Sequence, residues 1–210
     1  LIVKIYTRHG DDGTTSMYSG ERVGKDSLEI ELLGAIDESQ AFLGVARAEC
    51  VQGDALDELL IALERDLWIV MADVATSPSA GSRAPSASIE QAMIDRLEQE
   101  IDAATARSDA PAGFAVPGEN RLAASLDVAR TVVRRAERLA VAFDRSDALI
   151  VPYLNRLSDL CWALARASEP STRTHRGAKA RDRRATGEDE DDLGATVDPM
   201  DRRTEGERQS

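Results

Sequence analysis

The sequence predicts an all-α fold: a five-helix up-and-down bundle with a Gly/Thr-rich N-terminal loop and a disordered, charged C-terminal tail. Composition is the first reason. The chain is 42% apolar but only 4% aromatic, and Ala, Leu, Glu and Arg dominate, which favours helix over sheet. The second is apolar residues recurring at three- and four-residue spacing in five separate segments, joined by short connections. The third is the loss of large apolar residues after residue 168, which leaves too little surface to bury for that stretch to order itself. The 210 residues thus divide into one bundle domain over 1–168 and a tail over 169–210. A single core of this size is well supported.

The start, LIVKIYTRHGDDGTTSMYSGERVGKD, alternates briefly at Val3, Ile5 and Thr7, which suits a short strand at most. Gly10, Gly13 and Gly20 with Thr14, Thr15 and Ser16 then read as a loop rather than an element. Glycine-freed N–H groups and hydroxyls, with Arg8, Arg22 and Lys25 around them, are a possible phosphate cradle. The pattern is not a Walker A motif.

Asp26 or Ser27 can cap a first helix running to about Cys50, with Leu33, Ile36 and Leu43 inward. A second starts near Asp54 and carries Leu56, Leu59, Leu60, Leu63, Leu67, Val70, Met71 and Val74. Ser77 to Ser88 is a linker. The third helix spans about Ile89 to Arg107. A loop from Asp109 to Gly118 follows, with one aromatic, Phe114, which on the plain reading folds back on the core. The fourth helix ends near Phe143. The fifth covers about Ala148 to Ala167, with Pro152 in its first turn, where a missing N–H costs little.

Charge excludes several functions. A net charge of −12 argues against nucleic acid or an anionic membrane as the main partner. No apolar run reaches bilayer length and no leader pattern appears. The chain opens on Leu1 rather than Met, so a few residues are expected upstream. Cys50 and Cys161 cannot form a disulfide framework, and a reducing, cytoplasmic setting is expected. His9 and His175 are the only histidines. No metal set held by protein side chains is therefore expected, and no His-based serine triad.

The segment DVARTVVRRAER, Asp127 to Arg138, is the basic feature of this acidic chain. Arg130, Arg134 and Arg138 rise in one helical column, and Arg135 lies about 100° round from Arg134. Leu122, Leu126, Ala129, Val133, Ala136, Ala140 and Phe143 form an apolar stripe beside it. Partly desolvated cations need anions, from the protein itself or from a ligand. YLNRLSDL holds a second polar cluster, Asn155, Arg156 and Asp159, whose neighbours are apolar. Pairing with bundle acids such as Asp37 or Glu137 is the structural alternative to ligand binding.

TRHGDDGTT, ERVGKD, AIDES, FAVPG, VARTVVRRAER and YLNRLSDL occur in this order. Together they resemble the ATP:cob(I)alamin adenosyltransferases of the propanediol-utilisation type, across roughly residues 3 to 166. The resemblance implies a five-helix bundle, three subunits with active sites between them, and substrates ATP, with Mg²⁺, and cobalamin. It implies transfer of the 5′-deoxyadenosyl group of ATP to cob(I)alamin, giving adenosylcobalamin and triphosphate. A non-catalytic relative that carries or senses ATP or corrinoid is the alternative.

Carried over by position, Thr7, Arg8, Gly10, Asp11, Gly13, Thr14, Thr15 and Lys25 would hold ATP. Arg134, Glu137, Asn155 and Arg156 would contact the nucleotide, with Arg135 and Asp159 in support. Arg130 would pair with Asp37, shaping the subunit interface and the site. Phe114 would close the lower face of the corrin ring. Four places depart from the family pattern. Asp12 stands where many members have Lys, and Glu119 ends the Pro-Gly-Gly loop. Gln40 replaces an Asn, and Ser168 and Glu169 stand near an expected aromatic.

Overall fold

The computed structural model describes residues 6, 8–17, 20–76, 88–108, 111, 113–143 and 149–175. The chain resolves into two units, Leu1–His175 and Arg176–Ser210, and the second lies wholly outside the described residues, as does most of the expected tail. Val3, Ile5 and Thr7, the expected short strand, and residues 77–87 of the linker also lie outside.

Five helices make up the bundle: α1 (Leu28–Arg47), α2 (Ala55–Val74), α3 (Gln91–Thr105), α4 (Arg121–Phe143) and α5 (Ile150–Ala167). α1 packs on α2 and α4, α4 on α5, and α5 on α3. Each helix buries the stripe its spacing predicts. On α2, Leu60, Leu63, Leu67 and Val70 are wholly buried, and each such side chain contributes about 1.5–3 kcal/mol. On α4 the stripe is Leu126, Ala129, Val133, Ala136 and Ala140, with Leu122 and Phe143 partly buried. Its alanines let the neighbouring helices approach closely.

The caps are local chemistry. Asp54 accepts from the Asp57 N–H at 2.7 Å, and Asn120 Oδ1 accepts from the Ala123 N–H at 2.8 Å. Each satisfies an orphan donor of a helix start. Ser27 sits at the cap position of α1, but its side chain makes no capping bond.

The expected loop after Gly10 instead contains a hairpin. β1 (Thr14–Ser16) pairs antiparallel with β2 (Arg22–Gly24) in the register Thr14↔Gly24, Thr15↔Val23 and Ser16↔Arg22. Gly20, at φ 85°, takes the left-handed conformation this turn requires. Strands of three residues are too short for alternation to announce.

Two of the buried charge clusters tie helices together. Asp66 of α2 accepts from the Tyr153 hydroxyl at 3.0 Å and pairs with Arg96 of α3. Burial raises the Asp66 carboxyl above the usual carboxylate range, and burial with the nearby Asp66 charge holds the Tyr153 phenol well above its own. At the other end, Arg166 is 2% exposed. It pairs with Asp127 at 2.6 Å and Glu169 at 2.8 Å.

The contacts of the bundle continue past Ser168, where the charged tail was expected to begin. The Thr172 hydroxyl donates to Glu169 at 2.7 Å, and Thr174 forms a β-bridge with Ala115. No helix among the described residues is long and apolar enough to cross a membrane.

Candidate nucleotide and corrinoid site

Consecutive turns build the N-terminal loop. The Asp11 N–H donates to the Arg8 carbonyl at 3.3 Å, and the Gly13 N–H to that of Gly10 at 3.2 Å. Arg8 adopts φ 63°, and its guanidinium lies 5.7 Å from the Tyr6 ring centroid. Gly13, at φ 82°, accepts from the Lys25 N–H at 2.9 Å. Gly10 matters for space: a Cβ there would lie 3.0 Å from Lys25 Nζ and 3.1 Å from the Thr14 carbonyl. The ammonium therefore rests directly over the loop. Thr7 lies outside the described residues.

Asp12, the acid within this phosphate-type loop, is already engaged. It accepts from the Thr14 N–H at 3.0 Å and the Thr14 hydroxyl at 2.7 Å, and from Arg22 at 3.2 Å. The Thr14 bonds, with Arg22 beside them, hold its carboxyl below the usual range. Arg22 also donates to the His9 carbonyl at 2.9 Å and contacts the Thr14 hydroxyl. Arg22 thus belongs to the loop's charge balance, a role that adjacency in sequence does not reveal. Asp11 is exposed, and its carboxylate is free of protein partners among the described residues.

The arginine column divides on α4. Arg130 Nε lies 3.5 Å from Asp127 on the same helix. Within one chain it does not meet Asp37, which is exposed on α1 without an ion pair among the described residues. The expected Arg130–Asp37 pair is therefore not formed inside the subunit: an acid three residues away on the same helix is nearer to hand. Arg134 is exposed, and its guanidinium has no ion-pair or hydrogen-bond partner among the described residues. Arg138 turns back to donate to the Arg134 carbonyl at 3.0 Å, and Arg135 pairs with Glu38 of α1.

A hydrogen-bonded chain runs from α4 to α5 and α3. Glu137, three residues after Arg134, accepts from Asn155 at 3.0 Å. Asn155 accepts from Arg156 at 2.6 Å. Arg156 also meets Glu98 at 2.9 Å and Asp159 at 3.9 Å. Glu137 is thus held by an amide rather than by one of the column's arginines. Arg156 is 39% exposed as a side chain, and surface pairs of this kind contribute about 0–1 kcal/mol. An incoming polyanion can displace Glu98 at little cost.

Phe114 does not fold back on the core: it is 84% exposed. The loop over residues 113–116 faces residues 173–175 of the chain instead, so the ring stands on a short pleated edge and not over the bundle. Cys161 is buried, and burial pushes its thiol up to about 12, which removes it as a nucleophile.

Thr14, Thr15 and Lys25 share no hydrogen bond or ion pair with α4 or α5 among the described residues.

The family model described as cobalamin adenosyltransferase matches residues 5–168. The corrinoid adenosyltransferase of Citrobacter freundii is 38% identical over 171 residues, covering 80% of this chain and 96% of that protein. That of Mycobacterium bovis is 39% identical over 174 residues, covering 80% and 90%. Among solved structures, a variant PduO-type ATP:corrinoid adenosyltransferase from Lactobacillus reuteri, complexed with cobalamin and ATP, superposes with a TM-score of 0.75 at 28% identity. That match covers 82% of this chain and 97% of the other. By sequence and fold together, this chain belongs to the cobalamin adenosyltransferase family, of the PduO type.

Proposed function

We propose that the chain transfers the 5′-deoxyadenosyl group of ATP to cob(I)alamin. Cobalt(I) attacks C5′, the Co–C bond forms as the C5′–O bond breaks, and triphosphate leaves with the electron pair of that bond. The nucleophile belongs to the substrate, so no catalytic Ser, Cys or His is required. What the protein must supply is alignment of C5′ with cobalt, positive charge for the leaving group, and exclusion of water.

The observation that carries this reading is Arg134. Its guanidinium is exposed, has no partner among the described residues, and lies one turn from a polar chain, Glu137–Asn155–Arg156, that is already ordered by hydrogen bonds. A cation free of protein acids can give its full charge to triphosphate. Glu137 and Asn155 present fixed acceptor and donor groups to the nucleoside. Arg135 and Asp159 brace the cluster through Glu38 and Arg156.

Arg8, Gly10, Asp11, Gly13, Thr14, Thr15 and Lys25, with Thr7 ahead of them, would receive the Mg²⁺-bound phosphates. The residues present fit this task. Lys25 Nζ lies over the loop backbone, and Asp11 is a carboxylate left free to reach a metal–phosphate group. Mg²⁺ supplies charge neutralisation while bound to ATP. Phe114, an exposed ring on a loop, suits the lower face of a corrin, where an apolar wedge would displace the lower axial ligand. Cobalt(II) without that ligand is more easily reduced to the nucleophilic state.

Three subunits with sites between them would bring the hairpin loop of one to α4 and α5 of the next. This accounts for the lack, among the described residues, of any hydrogen bond or ion pair joining Thr14, Thr15 and Lys25 to α4 or α5 within one chain. Arg130 and the exposed Asp37 would then pair between subunits. The cytoplasm, where reduced cobalamin and ATP are available, is the compartment that suits the reaction.

The test is anaerobic incubation of the protein with ATP and chemically reduced cobalamin, followed by absorption. Appearance of the adenosylcobalamin spectrum is expected. Tight ATP or corrinoid binding with no product would favour the carrier or sensor reading instead.

A further inference from the structure

Phe114 is the most exposed large apolar side chain among the described residues, yet the backbone on both sides of it is tied down. The Val116 N–H donates to the Arg173 carbonyl at 2.8 Å, and the His175 N–H donates to the Phe114 carbonyl at 3.1 Å. Ala115 and Thr174 form the antiparallel bridge between these bonds. Across that bridge Phe114 and His175 face each other, with ring centroids 5.8 Å apart and planes tilted by 54°. Side chains opposite one another on a pleated pair restrict each other's rotamers.

The strand that does this is itself anchored. Glu169, at its root, has a fully buried side chain held by Arg166 at 2.8 Å, and it accepts from the Thr172 hydroxyl at 2.7 Å. Asn120, the cap of α4, donates to the Ser168 carbonyl at 2.7 Å. At the other end Arg173 pairs with Glu119 at 3.1 Å. Gly113 leaves room for the His175 ring: a Cβ there would lie 3.1 Å from Cε1 and 3.2 Å from Nδ1. The segment is therefore fixed to α4 and α5 at one end and to the Phe114 loop at the other.

We propose that residues 168–175 form a positioning strap for the Phe114 loop. In it His175 sets the attitude of the Phe114 ring, and the Glu119–Arg173 pair, with Arg173 79% exposed, adds a surface tie to the backbone bonds. The role of Phe114 rests on the reading above; the strap itself does not. A phenyl ring that must replace an axial ligand has to meet the corrin at one angle. An exposed ring on an unrestrained loop would spend most of its time elsewhere. Glu119, through Arg173, and Glu169, through Arg166 and Thr172, supply the side-chain ties of the strap.

The experiment uses the full chain and the variants His175→Ala, Glu119→Arg, Arg173→Glu and the double reversal Glu119→Arg/Arg173→Glu. Amide exchange, measured without ligand, reports the strap. The Val116 and His175 amides are expected to be protected in the wild type and to exchange about tenfold faster in each single reversal. The double reversal restores them. The second readout is the fraction of cob(II)alamin that loses its lower ligand on the ATP-loaded protein, followed by absorption. It is expected to fall roughly threefold or more in His175→Ala and in each single reversal, and to recover in the double. ATP affinity is expected to stay within about twofold throughout.

Wild-type amides at Val116 and His175 exchanging as fast as open loop amides would overturn the strap. Protected amides with a wild-type cob(II)alamin spectrum in His175→Ala would overturn the positioning role. If the wild type itself never yields cob(II)alamin without its lower ligand, the reading of Phe114 fails and His175 loses its role. The exchange measurements still decide the strap in that case.

Discussion

Arg130 and Arg134 stand one helical turn apart on α4 and meet different fates. Arg130 leans to Asp127, while the Arg134 guanidinium has no partner among the described residues. Replacing Arg134 by Ala should therefore remove a charge-assisted contact to triphosphate, costing about 1.5–3 kcal/mol. ATP titration and turnover should fall by about 10- to 150-fold, with thermal stability unchanged. Normal affinity and rate would make the column structural. Asp12, Gln40, Glu119 and Glu169 each meet a partner within the chain. Asp12 meets Arg22 at 3.2 Å, Gln40 donates to the Glu64 carbonyl at 2.8 Å, Glu119 meets Arg173 at 3.1 Å and Glu169 meets Arg166 at 2.8 Å. None of these pairings is local enough to read from spacing, except that of Glu169 with Arg166. The buried Asp66–Tyr153 bond gives a prediction with a defined sign. Tyr153→Phe removes a bond to a charged group, about 1.5–3 kcal/mol at neutral pH. That bond lowers the Asp66 carboxyl against a larger opposing effect of burial, so its loss lets the carboxyl rise further. A raised acid binds more protons folded than unfolded, so its stability contribution falls as pH increases through the folded value. Denaturant titrations of the variant should show its deficit shrinking as pH drops from neutral toward 3.8, the ordinary value.

At the scale of elements, the helices were largely legible. Periodic Leu, Val and Ala marked all five, and Asp54 announced the start of α2 because capping depends only on neighbours a turn away. The hairpin of β1 and β2 was not legible, since strands of three residues carry no period. The segment after Ser168 looked like tail because it lacks apolar side chains. Its order comes from polar ties to α4 and α5, and long-range hydrogen bonds leave no pattern in composition. Arg166 was missed for the same reason: its partner Asp127 lies 39 residues away. Asp127→Ala should show what that pair does. Removing one partner of a buried pair typically costs 3–5 kcal/mol. Glu169 still holds Arg166 in this variant, so a loss of about 3 kcal/mol in urea unfolding is expected. A loss no larger than that of an exposed Asp would mean that Glu169 alone suffices. In the loop, Gly10→Ala should displace Lys25 and weaken ATP binding without lowering the unfolding midpoint.

For the whole molecule, the proposed site draws on two groups of residues that no hydrogen bond or ion pair joins among the described residues of one chain. The N-terminal loop carries Asp11 and Lys25, α4 and α5 carry Arg134 and the Glu137–Asn155–Arg156 chain, and the sequence order of these motifs says nothing about which subunit supplies each. A trimer would resolve this. Asp37→Ala should then shift sedimentation toward smaller species, since a charge pair across an interface is worth about 1.5 kcal/mol or more, and turnover should fall with the trimer fraction. Unchanged assembly would place Asp37 outside the interface. The central claim is direct attack of cobalt(I) on C5′. A single-turnover reaction with limiting cob(I)alamin, quenched and analysed for both products, tests it most directly. One intact triphosphate is expected for each adenosylcobalamin formed. Diphosphate and phosphate in place of triphosphate, or bound ATP that is never consumed, would contradict it.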